Sequence, residues 1–128
     1  MTRTLLITGA IFGALAVILG AFGAHGLKNL VDAQAIKTFE TGVKYQMYHA
    51  LLLIAVAHLP HLSVQAKTAV FYLVLTGVLM FSGSIYLLAT NSMTAFDFKK
   101  IGFVTPIGGT LLIAAWGVLI YQFFSWKK

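Results

Sequence analysis

Between Arg3 and His25 no side chain ionises. A bilayer core about 30 Å thick takes roughly 20 apolar residues at about 1.5 Å rise each, and this stretch supplies them. The apolar core of a signal peptide is shorter, about 7–15 residues, so the segment reads as a membrane-spanning first helix over 4–25.

The same criterion finds a charge-free third helix over 68–90 and a fourth over 106–125, opened by Thr105 as N-cap and Pro106 in the first helical position. The second helix is less plain. The purely apolar run 50–57 is too short to span, so the helix must include polar residues before it and extends over 41–59, with Pro60 ending it. Upstream, Ile36, Phe39 and Val43 recur at helical spacing among Lys37, Glu40 and Lys44, which predicts an amphipathic surface segment over 32–40 with Asp32 as its N-cap. Glu40 and Lys44 stand at i,i+4, where they can pair. The expected fold is therefore all-α, an integral membrane four-helix transmembrane bundle forming one domain over residues 1–128. Composition agrees: 9% of residues are charged, against about a quarter in a soluble domain.

The net charge of +6 comes from nine basic residues scattered over tails and loops. Such residues meet lipid headgroups and fix topology; no stretch interleaves them densely with aromatics, so nucleic acid is not an expected partner. Arg3, Lys67, Lys127 and Lys128 fall on one side of the membrane and Lys28, Lys37, Lys44, Lys99 and Lys100 on the other. Lys37 and Lys44 belong to a surface helix, whereas Lys67 and the tail residues lie in the short segments where the positive-inside rule works best, so both termini are expected inside. Trp126 with Lys127 and Lys128 reads as an interfacial anchor. Cysteine is absent, which excludes disulfides and thiolate metal sites.

Small residues come next. Gly9, Gly13, Ala16, Gly20 and Ala24 share a face of the first helix; Gly77 with Ser84, and Gly109 with Gly117, mark similar grooves on the third and fourth. In lipid, close backbone approach is what packs helices. The first face is expected to pack inside the bundle, with a homodimer seam through Gly9 and Gly13 as the alternative.

The polar residues fall at one depth. With the helices alternating in direction, His25, Gln46, His49, Ser82, Ser84, Tyr86 and Thr105 all lie in the leaflet on the side of the first loop, and the opposite leaflet is nearly featureless. Polar groups in hydrocarbon must find partners or water. The cluster is either interhelical glue or a small polar pocket open to one surface, with Lys28, Lys44, Lys99 and Lys100 near its mouth for anionic headgroups. Other chemistries have little to work with. Asp32, Glu40 and Asp97, the only acids, are peripheral, which disfavours general acid–base and metal-assisted hydrolysis. A Ser82–His49 dyad, haem ligation by His25 and His49, and a metal held by His58 and His61 beside Pro60 have no supporting motif. No catalytic residue, metal or cofactor is expected.

Four runs carry a family resemblance: Gly20–Gly26 (GAFGAHG), Phe39 with Thr41–Ala50 (TGVKYQMYHA), Phe81–Tyr86 (FSGSIY) and Thr105–Gly109 (TPIGG). In order and spacing, across essentially the whole chain, they resemble the YgdD-like family of small bacterial inner-membrane proteins, relatives of a small animal transmembrane protein. The resemblance implies four transmembrane helices and a bacterial plasma-membrane location. It implies no mechanism, since the family's function is unknown. The expected role is a non-enzymatic binding or accessory module that holds a lipid headgroup, a small polar molecule or a partner membrane protein, with self-association possible through the small faces. The alternative is an oligomeric channel or small transporter.

Overall fold

The computed structural model describes residues 1–126, so Lys127 and Lys128 of the expected anchor lie outside the described residues. Four helices run in sequence: α1 (Thr2–Ala21), α2 (Ala33–His58), α3 (Val64–Ala89) and α4 (Val104–Ser125). A π-helical turn, Phe22–Gly26, extends α1, and two short 3-10 turns, Asn91–Met93 and Phe98–Ile101, fill the α3–α4 connection. Three of the helices are long and apolar enough to cross a membrane. The exception, α2, is long enough, with 26 residues, but carries the charges of its first turns.

Three boundaries differ from those read in the sequence. The surface segment over 32–40 and the span over 41–59 are one continuous helix, α2. Its length of about 39 Å exceeds the roughly 30 Å hydrocarbon core, so the turns bearing Lys37 and Glu40 need no separate element. Both residues are exposed, and among the described residues Glu40 and Lys44 form no ion pair within 4.0 Å. The second difference is at α4, which begins at Val104, with no side-chain cap from Phe103 before it. Thr105 is thus already helical and its hydroxyl is free for another partner.

The third difference is at α3, which begins at Val64 and not at 68, one turn earlier, on a Ser63 cap not read in the sequence; the other ends follow the sequence. Asp32 caps α2 by accepting from Ala35 N at 2.8 Å, and Ser63 caps α3 by accepting from Ala66 N at 3.0 Å. Pro60 follows the C-terminus of α2, and His61 takes a positive φ of 64° to reverse the chain. Lys67 Nζ donates to Ala57 O at 3.3 Å, satisfying one of the carbonyls a helix end leaves open. His61 stacks on Trp126 at a centroid distance of 4.0 Å, tying the α2–α3 turn to the end of α4 on the same surface.

Packing follows chain order: α1 lies on α2, α2 on α3 and α3 on α4. The small face of α1 does meet α2. A Cβ at Gly9 would stand 2.8 Å from Ala50 O, whereas at Gly13 it would meet only ordinary contacts, with Ala50 Cβ at 3.8 Å nearest. On α3 and α4 the close approach is made by Gly77 and Gly108, not by Gly109 and Gly117. A Cβ at Gly77 would stand 2.7 Å from Leu112 Cδ2, one at Gly108 would collide with Phe81 N, and one at Gly117 would meet open space. The main core, including Leu5, Leu53, Val56, Val70, Val74 and Leu119, fills the half of the bundle opposite the first loop. A smaller core of Leu27, Phe39 and Ala89 closes the loop end. The π turn serves this smaller core: Gly23 would press a Cβ to 2.8 Å from the Phe39 ring, and Phe22 packs edge-on against that ring at 6.1 Å.

Candidate functional site

Between the two cores lies a layer of buried polar side chains, Gln46, His49, Ser82 and Ser84. Each is turned toward a neighbouring helix. Gln46 sits on the face of α2 between α1 and α3. Its Nε2 donates to Phe12 O at 2.8 Å, and its Oε1 accepts from Tyr86 OH at 2.7 Å, so one amide joins three helices. One turn earlier on α2, Gly42 O accepts from Ser82 Oγ at 2.8 Å. This contact is close because Gly42 has no side chain: a Cβ there would stand 2.7 Å from the Tyr86 ring. Ser84 faces α4 and shares a short hydrogen bond with Thr105 Oγ1, which is what occupies the hydroxyl expected to cap that helix.

His49 ties α2 to α4. Its Nδ1 lies 2.7 Å from Tyr45 O, and its Nε2 lies 3.2 Å from Trp116 Nε1. A carbonyl only accepts and an indole N–H only donates, so the imidazole donates from Nδ1 and accepts at Nε2. Both ring nitrogens are thereby occupied. No base is left for Ser82, whose proton points to Gly42 O, and no lone pair is left for iron.

The polar residues spread from the loop end, where Ser84 meets Thr105, to mid-bundle, where Gln46 meets Phe12 and His49 meets Trp116, as separate interhelical bonds and not as the wall of one polar pocket. Among the described residues no buried side-chain nitrogen or oxygen lacks a partner. His25 does not join them. It lies exposed in the π turn, because the extra residue per turn rotates it off the α1 face that meets α2. Lys28, Lys44, Lys99 and Lys100 are all exposed on the loop side. Trp116 is the member missed from sequence. Its signal was an indole N–H in the middle of an apolar helix, a donor that must find an acceptor when it faces the bundle.

Two cavities are lateral and one faces the loop surface. One, about 290 Å³, opens between α2 and α4 over α3 and is lined by Tyr45, His49, Phe81, Gly109, Leu112, Ile113 and Trp116. A second, about 200 Å³, lies between α1 and α3, with Gln46 and Tyr86 in its floor and Gly83 in its wall. A third, about 220 Å³, lies at the loop surface.

Comparison with known proteins agrees with the resemblance. A family model described as "Protein of unknown function (DUF423)" matches residues 19–109. The UPF0382 membrane protein YwdK of Bacillus subtilis is 38% identical over 120 residues, covering 92% of this chain and 94% of the relative. The UPF0382 inner membrane protein YgdD of Escherichia coli is 37% identical over 129 residues, covering 99% and 94%. A Haemophilus influenzae UPF0382 membrane protein is 38% identical over 119 residues, covering 93% and 92%. No solved structure matches. Four helices, a polar layer built from the signature residues and relatives aligned over nearly their full lengths lead to one conclusion: the chain belongs to the DUF423, or UPF0382, family of membrane proteins.

Proposed function

We propose that this protein is a non-enzymatic module of the bacterial plasma membrane that holds the apolar chain of a membrane lipid in the lateral groove between α2 and α4. The observation that carries the reading is the groove itself. At about 290 Å³ it is roughly twice a cavity of about 150 Å³ that takes up benzene. Tyr45, Phe81, Leu112, Ile113 and Trp116 make its walls apolar, and the polar atoms of His49 and Trp116 are spent on Tyr45 O and on each other. Such a surface asks for hydrocarbon, and the lipid around the bundle supplies it. The exposed Lys28, Lys44, Lys99 and Lys100 favour an anionic headgroup above it. This reading keeps the lipid partner expected from sequence but moves it from a polar pocket to an apolar groove. A polar path through a single bundle is disfavoured because the space between α2 and α3 is filled by Leu53, Val56, Val70 and Val74.

The test is native mass spectrometry of protein released from mild detergent. Ile113 is 73% exposed, so Ile113→Trp fills the groove without touching the core. Ile11→Trp, at a residue 52% exposed on α1, is the control. Wild type and the control should retain phospholipid, and Ile113→Trp should lose most of it. Equal retention by all three overturns the proposal.

A further inference from the structure

The cavity at the loop surface differs from the two lateral grooves in carrying both signs of charge. Its volume is about 220 Å³; Asp32, Asn91, Ser92 and Lys99 surround a floor that includes Leu88 and Ala89. Each wall is fixed by hydrogen bonds. Asp32 is held as the α2 cap, accepting from Ala35 N at 2.8 Å through Oδ1. The opposite wall is a knotted loop: Asn91 Oδ1 accepts from Phe98 N at 2.7 Å, and Asp97 Oδ1 accepts from both Asn91 Nδ2 at 3.2 Å and Lys99 N at 3.1 Å. Ala89 in the floor belongs to the smaller core, which anchors the site to packed helices.

Asp32 and Lys99 share this cavity without neutralising each other. Among the described residues no cation lies within 4.0 Å of the Asp32 carboxylate and no carboxylate within 4.0 Å of Lys99 Nζ. A carboxylate held as a helix cap and a lysine whose backbone is held by Asp97 line one space, which is complementary to a ligand that carries a cation and an anion a short link apart. The cavity lies where α2 begins and α3 ends, at the depth of lipid headgroups. A phosphate would pair with Lys99 and accept from the Ser92 hydroxyl, and a primary ammonium would donate to Asp32. A trimethylammonium has no proton to donate, and a glycerol headgroup has no cation.

We propose that this cavity binds the phosphoethanolamine group, with its ammonium on Asp32 and its phosphate on Lys99. Two sources present this chemistry, the headgroup of phosphatidylethanolamine and free phosphoethanolamine. The site shares no lining residue with the groove between α2 and α4, and the lipid counts are taken with Ile113→Trp present in the reference chain and in both variants, which removes the groove's lipid, so either proposal can fail alone.

The experiment equilibrates the full chain in detergent with equal amounts of phosphatidylethanolamine, phosphatidylcholine and phosphatidylglycerol of the same acyl chains and counts the lipids retained by native mass spectrometry. A parallel arm adds millimolar phosphoethanolamine and records Tm. Asp32→Asn keeps the helix cap, since Asn caps as well as Asp, and removes only the charge; Lys99→Gln removes the other charge in the short 3-10 turn, outside the four α-helices. For a lipid source, the reference chain should retain the ethanolamine lipid several-fold over the other two, and each variant should fall to parity. For a free source, the Tm rise with phosphoethanolamine should appear in wild type and vanish in both variants. Parity among the three lipids together with no Tm rise overturns the proposal. So does preference for the glycerol lipid, or reference-chain selectivity kept by both variants. If Asp32→Asn does not fold, Lys99→Gln decides alone.

Discussion

Gln46 is the residue whose replacement reports most directly on how the bundle is held. It is 4% exposed and makes two interhelical hydrogen bonds, at 2.8 Å to Phe12 O and 2.7 Å from Tyr86 OH. Gln46→Met keeps the length and unbranched shape of the side chain and removes both. Interhelical hydrogen bonds in membranes contribute about 0.6 kcal/mol on average and up to about 1.7. Phe12 O keeps its place in the α1 ladder, but the Tyr86 hydroxyl is left without its acceptor, at a cost of about 1–3 kcal/mol. The expected loss is about 2–4 kcal/mol. Tyr86→Phe alone should cost less, about 1–2 kcal/mol, because it strands one lone pair of an amide whose other bond survives. In the double variant the stranded hydroxyl is gone, so the two effects should fall short of additivity by about 1–2 kcal/mol, within the usual range for directly bonded pairs. Equilibrium unfolding from mild detergent into dodecyl sulfate, followed by circular dichroism, measures all four corners of the cycle. Additivity to within about 0.3 kcal/mol would refute the claim that this amide joins α2 to α3 energetically.

The small face of α1 gives a second test. Gly9→Ala places a methyl 2.8 Å from Ala50 O and should destabilise by about 1–3 kcal/mol. Gly13→Ala, with 3.8 Å of clearance, should be neutral or stabilising by up to about 1 kcal/mol. The reverse order in the same unfolding assay would show that α1 sits in a different register on α2. Topology is a third: with Arg3 and Lys67 in short segments on the side of both termini, we propose that this side is cytoplasmic. A C-terminal green fluorescent protein fusion should then fluoresce and a C-terminal alkaline phosphatase fusion should be inactive, and the opposite pair of results reverses the orientation.

The helices were legible because the bilayer demands long uncharged runs, and residues 4–24, 68–89 and 104–125 supply them. The single helix α2 was not. Its charged first turns look like a separate surface element when judged by hydropathy alone, and the hydrogen bonding that continues through Thr41 has no sequence signature. Apart from Trp116, the members of the polar layer could be read from the sequence. Their pairing could not, because it depends on rotation about each helix axis: Ser84 turns to α4 and Ser82 to α2, although they are two residues apart. Thr105 was misread as a cap because Thr followed by Pro is a good N-terminal signal, and only α3 beside it shows that the hydroxyl has a better partner. The Asn91–Asp97 clamp was missed because Asn and Asp side chains six residues apart meet only through the two short turns between them.

These pairings bear on why one half of the bundle is polar. In lipid, apolar side chains gain nothing by leaving the solvent, so the half filled by Leu5, Leu53, Val56 and Val74 is held by close packing alone, at contacts such as Gly9 on Ala50 and Gly77 on Leu112. The loop half adds hydrogen bonds to close packing of the same kind, such as Gly42 on Tyr86 and Gly108 on Phe81. Its small core of Leu27, Phe39 and Ala89 is fed by a π turn and two loops, and between the two cores α4 reaches α2 through Trp116 and His49 with a groove left open beside them. Hydrogen bonds fix helix register at a distance that packing would close. The polar layer thus lets the bundle keep its shape while leaving a groove on its flank. If the polar residues were only packing glue, the groove would be unneeded and larger apolar side chains in place of Gly109 and Ile113 would hold α2 and α4 together without His49. The presence of both the bond and the gap is what favours a bound chain over a merely structural layer.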